Sequence, residues 1–321
     1  MQTIKKEKVD VEVSKPKRKK ESEAVKSLKK NYVLYLFLIV PIIYFLVIKY
    51  IPMLGNVLAF RRYRPGGSYF GVEWVGFQYF EQFLSDPAFW DVFMNTVILS
   101  FSTLLITFPL PIIFALMLNE IEFKRFKKVT QSLTIIPKFL STVVVVMMIN
   151  ALLSPSTGII NHLIESFGGE AVYFLNEPQW FRFIYIVSDI WQFLGWNSII
   201  YMAVLTSADQ DQYEAAMVDG ANKFQQVRHV TIPMLLPTIA INLIIAVGNV
   251  LNLGFEKILL LYTPTTYATA DVVQTFAYRI GLMGNNFSYG TAVGLFQGVI
   301  CLALLWITNK ITNKYWQCGL W

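Results

Sequence analysis

Cysteine and histidine are nearly absent, with two of each in 321 residues. Cys301 and Cys318 lie close together near the C-terminal end, so no disulfide framework is implied. Cys301 sits inside an apolar run, where a small packing residue belongs. His162 and His229 are far apart and lack neighbouring Cys or paired carboxylates, which gives no metal site. Charge is scarce as well: 15% of the residues are charged, against about a quarter in soluble domains. There is no Gly-x-x-x-x-Gly-Lys-Ser/Thr phosphate loop, so the chain has no means of binding ATP by that route. No internal repeat is visible. The first apolar stretch is too long for a signal-peptide core and lacks a small-residue cleavage site, so it reads as an anchor.

What remains is apolar. Hydrophobic residues make up 55% of the chain and aromatics 15%, with a mean hydropathy of +0.48. Several runs exceed the roughly 20 residues that carry a helix across about 30 Å of hydrocarbon. Six spans are expected, over Tyr32–Met53, Asp91–Met117, Thr130–Leu153, Phe181–Leu205, Leu236–Tyr262 and Phe287–Thr308. The fold class is therefore an all-α polytopic membrane protein. Pro41, Pro109, Pro111 and Pro137 should kink their helices.

The charges that exist are placed unevenly. Lys15, Lys17, Arg18, Lys19 and Lys20 form a basic block in a polar tail over residues 1–31 with no apolar periodicity. In front of an apolar span, that block marks a cytoplasmic tail rather than a nucleic-acid surface. Lys124, Arg125, Lys127 and Lys128 then fall in a cytoplasmic loop, and Lys310 and Lys314 beside a cytoplasmic C-terminal tail over residues 311–321. Six spans put both termini on that side. Glu165, Glu170 and Glu177 fall outside, as do Arg61, Arg62 and Arg64, which run against the majority.

The segment between the fourth and fifth spans, residues 207–235 with Pro237 beyond it, is too polar to span. It reads as two short helices. Asp211 with Glu214 fits a capping box, Gly220 a left-handed stop, and Asn222 a second cap. Phe224, Val227 and Val230 then share a face, and Pro233 and Pro237 close the segment.

Glu214, Ala215, Ala216, Gly220 and the exit Val230-x-Ile232-Pro233 resemble the EAA loop of bacterial ABC importer permeases. That resemblance implies a type I ABC importer permease fold spanning residues 32–310. It also implies a coupling helix in which Glu214, Ala215, Ala216, Asp219 and Gly220 meet an ATPase subunit. ATP and Mg would then be held by partner subunits, and this chain would bind no cofactor. Trp74-Val75-Gly76, Asp86-Pro87-x-Phe89-Trp90, Asn95-Thr96 and Gly195-Trp196-Asn197 are similar to the branch serving oligosaccharide importers (lipoprotein- and polysaccharide-type permeases). The partners implied are a second homologous permease, two ATPase subunits, a lipid-anchored extracellular solute-binding protein, a carbohydrate and the bacterial cell membrane. An interfacial aromatic belt accounts equally well for the Trp-rich segment.

Polar side chains inside the spans give independent candidates for a substrate path. Asn242, Asn249, Asn252 and Glu256 follow at steps of seven, three and four, one stripe of a continuous helix. Asp189, Gln192 and Trp196 share a face of the fourth span, next to Asn197. Carboxylates at membrane depth cost about 2.5–3.5 kcal/mol on insertion scales, so they should face a wet cavity or a partner. Amides can bond sugar hydroxyls, and Trp191 or Trp196 can stack on a pyranose. The bland alternative is interhelical glue. Lys257 is read as reaching the outer interface, and Lys138 as snorkelling or joining an ion pair. Outside the membrane, Val272, Phe276 and Ile280 form an apolar stripe, which either receives a binding protein or packs on the bundle. A secondary transporter using Asp189 or Glu256 as proton carriers, a membrane-embedded enzyme and a scaffold are the rival readings.

Overall fold

The computed structural model describes residues 30–320, so the basic tail of the first 29 residues lies outside it. Among the described residues the fold is all-α except for one two-stranded hairpin. The described residues fall into two units, divided after Gly55.

The first unit holds α1, Tyr32–Phe45, which continues through a π turn, Leu46–Tyr50, and a final turn, Ile51–Met53. Pro52 has no N–H for the carbonyl of Ile48, and the widened turn before it absorbs the ring clash.

The second unit begins with the hairpin. β1, Arg61–Arg62, pairs antiparallel with β2, Glu73–Trp74, and Arg62 meets Glu73 across it at 3.3 Å. The short helix α2, Gln78–Leu84, leads to α3, Pro87–Thr107. Asp86 caps α3 by accepting from the Ala88 N–H at 2.9 Å, and Pro87 takes the first helical position, where no N–H is needed. α4, Pro109–Asn119, prolongs α3, so that the pair makes one apolar stretch of 33 residues.

The third expected span is broken. α5, Lys124–Ile135, passes through a 3-10 turn at Ile136–Phe139 into α6, Thr142–Leu153, with a bend of 103° between the two arms. Pro137 lies in that turn. α7, Ile159–Ser166, follows, and then α8, Pro178–Thr206, which at 29 residues is about 43 Å long.

The segment after α8 departs from expectation in its second half. α9, Gln210–Val218, is a separate helix, but α10, Lys223–Gln226, runs through a π turn, Val227–Thr231, into α11, Ile232–Gly248. Pro233 and Pro237 therefore do not end a short helix; the π turn accommodates Pro233 and the 26-residue helix continues. α11 then stops at Gly248, well short of Tyr262. After a non-helical turn, α12, Phe255–Leu261, starts afresh. α13, Tyr267–Ala270, and α14, Val273–Ala277, precede a π turn at Tyr278–Met283. α15, Phe287–Trp316, runs on past residue 310 into the segment read as a tail.

Among the described residues, four helical stretches are long and apolar enough to cross a membrane by themselves, and the bent α5–α6 pair makes a fifth if taken as one span. α8 is as long, but its polar residues make it less apolar than these.

Buried clusters hold the second unit together at both ends of α8. Phe181 and Tyr185 near its start pack with Leu99, Val146, Ile258, Leu261 and Val272. Tyr201 and Leu205 near its end pack with Ala115 and Leu235. A third cluster gathers Phe83, Phe89, Phe276, Tyr289 and Val293. Val272 and Phe276 are thus buried in the bundle, which takes up the apolar stripe considered for a binding protein. Gly195 is where α8 crosses α5: any Cβ there would collide with the Thr134 carbonyl.

Candidate functional site

The break between α11 and α12 creates the site. A cavity of about 690 Å³ is lined by Asp189, Gln192 and Asn197 from α8 and by Asn249, Asn252 and Glu256 from the broken segment. These residues do converge, but not as one helical stripe. Asn249 is the residue after the last turn of α11, Asn252 lies in the non-helical turn, and Glu256 belongs to the first turn of α12. A second cavity of about 370 Å³ shares Leu104, Thr107 and Asn197 with the first, and adds Trp196 and Asn242. Trp191 instead lines a separate, almost wholly apolar groove.

Two α8 side chains one turn apart hold the break in place. The Tyr185 hydroxyl accepts from the Gly254 N–H at 3.0 Å, and Asp189 Oδ1 lies 3.4 Å from Lys257 Nζ. Lys257 is buried at 3% exposure, so it does not reach the interface as expected; its ammonium also lies 5.3 Å from the Tyr185 ring centre. A lysine at membrane depth is stable only when paired, and here Asp189 supplies the pair. Lys138 sits over the Phe193 ring at 4.3 Å, a cation–π contact rather than either arrangement expected of it.

The amides divide between scaffold and cavity. Asn252 Oδ1 accepts from Gln274 Nε2 at 3.3 Å and Gln297 Nε2 at 3.2 Å, and Gln297 also donates to the Leu251 carbonyl at 2.7 Å. Gln192 donates to the Leu140 carbonyl at 3.3 Å, tying α8 to the end of the 3-10 turn. Asn249 donates back to the Ile245 carbonyl at 3.0 Å, and Asn242 to the Thr238 carbonyl at 2.8 Å. Among the described residues, Asn197 and Glu256 make no side-chain hydrogen bond or ion pair, and both are exposed in the cavity. Ser100, Thr103, Thr107 and Thr142 complete the wall, and sequence reasoning missed all of them. Hydroxyl residues cost little in an apolar helix, so nothing in hydropathy marks them.

Several residues that carried the resemblance prove to be structural. Asn95 donates to the Ala268 carbonyl at 2.9 Å and accepts from Arg182 at 2.8 Å. The Thr96 hydroxyl donates to the Val92 carbonyl and accepts from the Val273 N–H, both at 2.8 Å. They join α3 to the short helices after α12.

The segment after α8 is built as a presented hairpin. Asp209, not Asp211, caps α9, through the Asp211 N–H at 3.1 Å. Gly220 has φ +78°, the left-handed conformation expected of it, and Asn222 forms a capping box with Gln225. Tyr213 bonds Thr231 at 3.0 Å, and Lys223 meets Glu120 at the end of α4 at 3.2 Å. These ties hold the hairpin's rear. Its other side is bare: Glu214, Ala215, Asp219 and Gly220 are exposed and Ala216 is half-buried. Around them Met217, Val218 and Phe224 are 55%, 87% and 73% exposed.

A broken-helix bundle with a polar cavity on one long helix and a presented hairpin at that helix's end defines a class of transport subunit. The chain belongs to the family of binding-protein-dependent transport system inner membrane components, whose model matches residues 109–316. It is 41% identical over 95% of both chains to the polygalacturonan/rhamnogalacturonan transport system permease protein YteP of Bacillus subtilis (strain 168). Protein LplB of the same organism is 40% identical over 92% of both chains. The structure superposes with a TM-score of 0.84, at 40% identity, on a chain of a bacterial ABC transporter that imports the acidic polysaccharide alginate. That match covers 92% of this chain and 99% of the other. A second structure, of bacterial alginate ABC transporter with an alginate pentasaccharide-bound periplasmic protein, gives a TM-score of 0.85.

Proposed function

We propose that this chain forms part of the translocation path of an ATP-binding-cassette importer for oligosaccharides cut from an acidic polysaccharide. The observation that carries the reading is the polar cavity on α8, with the exposed α9 hairpin joined to the end of the same helix. Asn197, Asn249 and Asn252 are the groups suited to bond sugar hydroxyls, with Asp189 and Gln192 positioning the wall, Glu256 beside them and Trp196 further along. Lys138 and Lys257 offset carboxylate charge in and around the cavity. The polyuronate cargo named for the relatives supports this class of substrate.

Coupling runs through the hairpin. Glu214, Ala215, Ala216, Asp219 and Gly220, with the exposed apolar side chains of Met217, Val218 and Phe224, fit a cleft in a separate ATPase subunit. That subunit binds ATP and Mg; this chain moves because α8 and α11 flank the docked segment. A second homologous permease completes the path, two ATPases bind on the cytoplasmic side, and a lipid-anchored binding protein delivers the sugar outside. Both termini face the cytoplasm in this reading.

Reconstitution tests it. Proteoliposomes holding the permease pair, the ATPase and the loaded binding protein should accumulate oligogalacturonate only when ATP is enclosed. Uptake that follows a proton gradient without ATP would establish the secondary-transporter alternative instead. The Asp189–Lys257 pair already weighs against that alternative, since a carboxylate held by a buried ammonium is poorly placed to shuttle protons.

A further inference from the structure

Among the described residues, nothing covers the apolar stripe of α5 or pairs with the basic turn at its start. Thr134 meets α8 at Gly195, and Thr130 and Gln131, one turn earlier, are half-buried on the same side. At the other end, Glu122, just before α5, and Leu205 of α8 border one crevice. α5 therefore runs beside the last turns of α8 with its polar side inward. Phe126, Val129, Leu133 and Ile136 follow at steps of three, four and three, and are 56%, 54%, 61% and 54% exposed.

Helices meet inside membranes through small residues, as Thr134 and Gly195 do here. The exposed stripe holds none, which marks a face turned to acyl chains. From Phe126 to Ile136 it runs about 15 Å, the depth of one leaflet in a hydrocarbon layer about 30 Å thick.

The charge lies at one end of this stripe. Lys124, Arg125, Lys127 and Lys128 are four of the first five residues of α5. Among the described residues, none of them forms an ion pair or a side-chain hydrogen bond. The acids nearest in sequence turn elsewhere: Glu120 meets Lys223 at 3.2 Å, and Glu122 borders the crevice behind the hairpin. Arg125, one turn before Val129, and Lys128 are exposed beside the stripe.

We infer that this face of α5 binds an anionic phospholipid of the leaflet on the hairpin's side, with its phosphate on Lys124, Arg125 and Lys128 and its acyl chains along the stripe. A basic turn joined to an apolar face is the pattern that holds anionic lipid, each cation adding its own increment. A zwitterionic lipid fills the same apolar face but gains little from the cations, so headgroup charge sets the preference. The site shares no residue with either polar cavity, and it goes beyond the importer reading without depending on it.

Nanodiscs of phosphatidylcholine, with phosphatidylglycerol titrated in, test this on the complex purified through this chain. Native mass spectrometry counts the phosphatidylglycerol retained. It needs neither ATP nor sugar, so the result stands even where transport fails. Arg125→Gln/Lys128→Gln should weaken the preference for phosphatidylglycerol about thirtyfold, as two basic residues at an anionic surface imply. Its thermal midpoint in pure phosphatidylcholine should match the parent, because neither side chain holds anything in the fold; a lower midpoint there would assign both residues to the fold instead. Arg125→Lys/Lys128→Arg should keep the preference. An undiminished preference in the Gln variant, or an equal loss in the charge-conserving one, would overturn the inference.

A spin label then reads what covers the stripe. Attached at Val129→Cys in a Cys301→Ser/Cys318→Ser background, it should be relaxed by oxygen and not by a water-soluble nickel chelate. Shielding from both would seat a second polypeptide on the face, and access of the chelate would place it in water. Either result sinks the lipid assignment.

Discussion

Lys257 Nζ lies 3.4 Å from Asp189 Oδ1, across the break between α11 and α12, with only 4% of the lysine side chain exposed. One turn earlier on α8, Tyr185 accepts the Gly254 N–H. The non-helical stretch between α11 and α12 is therefore pinned to α8, the helix that leads into the α9 hairpin.

Breaking this pair on one side should cost more than removing both charges. Lys257→Met leaves a half-buried carboxylate without its partner and should destabilise the protein by up to about 3 kcal/mol, the lower end of the scale for an orphaned buried charge. Asp189→Asn combined with Lys257→Met should recover most of that loss. Thermal unfolding of the detergent-solubilised complex measures both, and a double variant no better than Lys257→Met would show that the pair does not act as a unit.

Thr96→Val keeps the shape of a buried side chain but leaves the Val273 N–H without its acceptor. An unsatisfied buried donor costs about 1–3 kcal/mol. The loss should appear as a lower thermal midpoint with the coupling between transport and ATP hydrolysis intact.

At Gly220 a Cβ would meet nothing within 4 Å, so only the backbone conformation restricts the site. Gly220→Ala should cost about 1–2 kcal/mol for a left-handed residue carrying a side chain. Gly220→Asn should cost less. ATPase co-purification should weaken in that same order, which a pull-down against the cognate ATPase can read.

The face of α9 offers a cleaner separation of docking from folding. Val218→Asp replaces a side chain that is 87% exposed, so stability should change by less than about 0.5 kcal/mol. ATPase binding and transport should be lost nonetheless. An unaltered pull-down with this variant and with Glu214→Lys would place the docking surface elsewhere.

Much of the bundle was legible because apolar length and capping chemistry are local. Tyr32 to Met53, Gly220 and the Asn222 cap needed no tertiary information. The break after Gly248 was not legible, because hydropathy stays high on both sides of it. A helix stripe drawn through Asn249, Asn252 and Glu256 named the right residues for a geometry they do not have. Lys257 was misread for a related reason: sequence gives depth along a helix, not which distant carboxylate waits there.

The order of residues alone determined that this chain lives in a membrane and that the segment after the fourth expected span is too polar to cross it. Only the folded bundle decided that Asp189 holds Lys257, that Trp191 and Trp196 line different spaces, and that two hydroxyls on α3 lack partners. The division follows from range. Backbone conformation and solvent preference are set by a few neighbouring residues, whereas a cavity is the space that helices far apart in the chain leave between them.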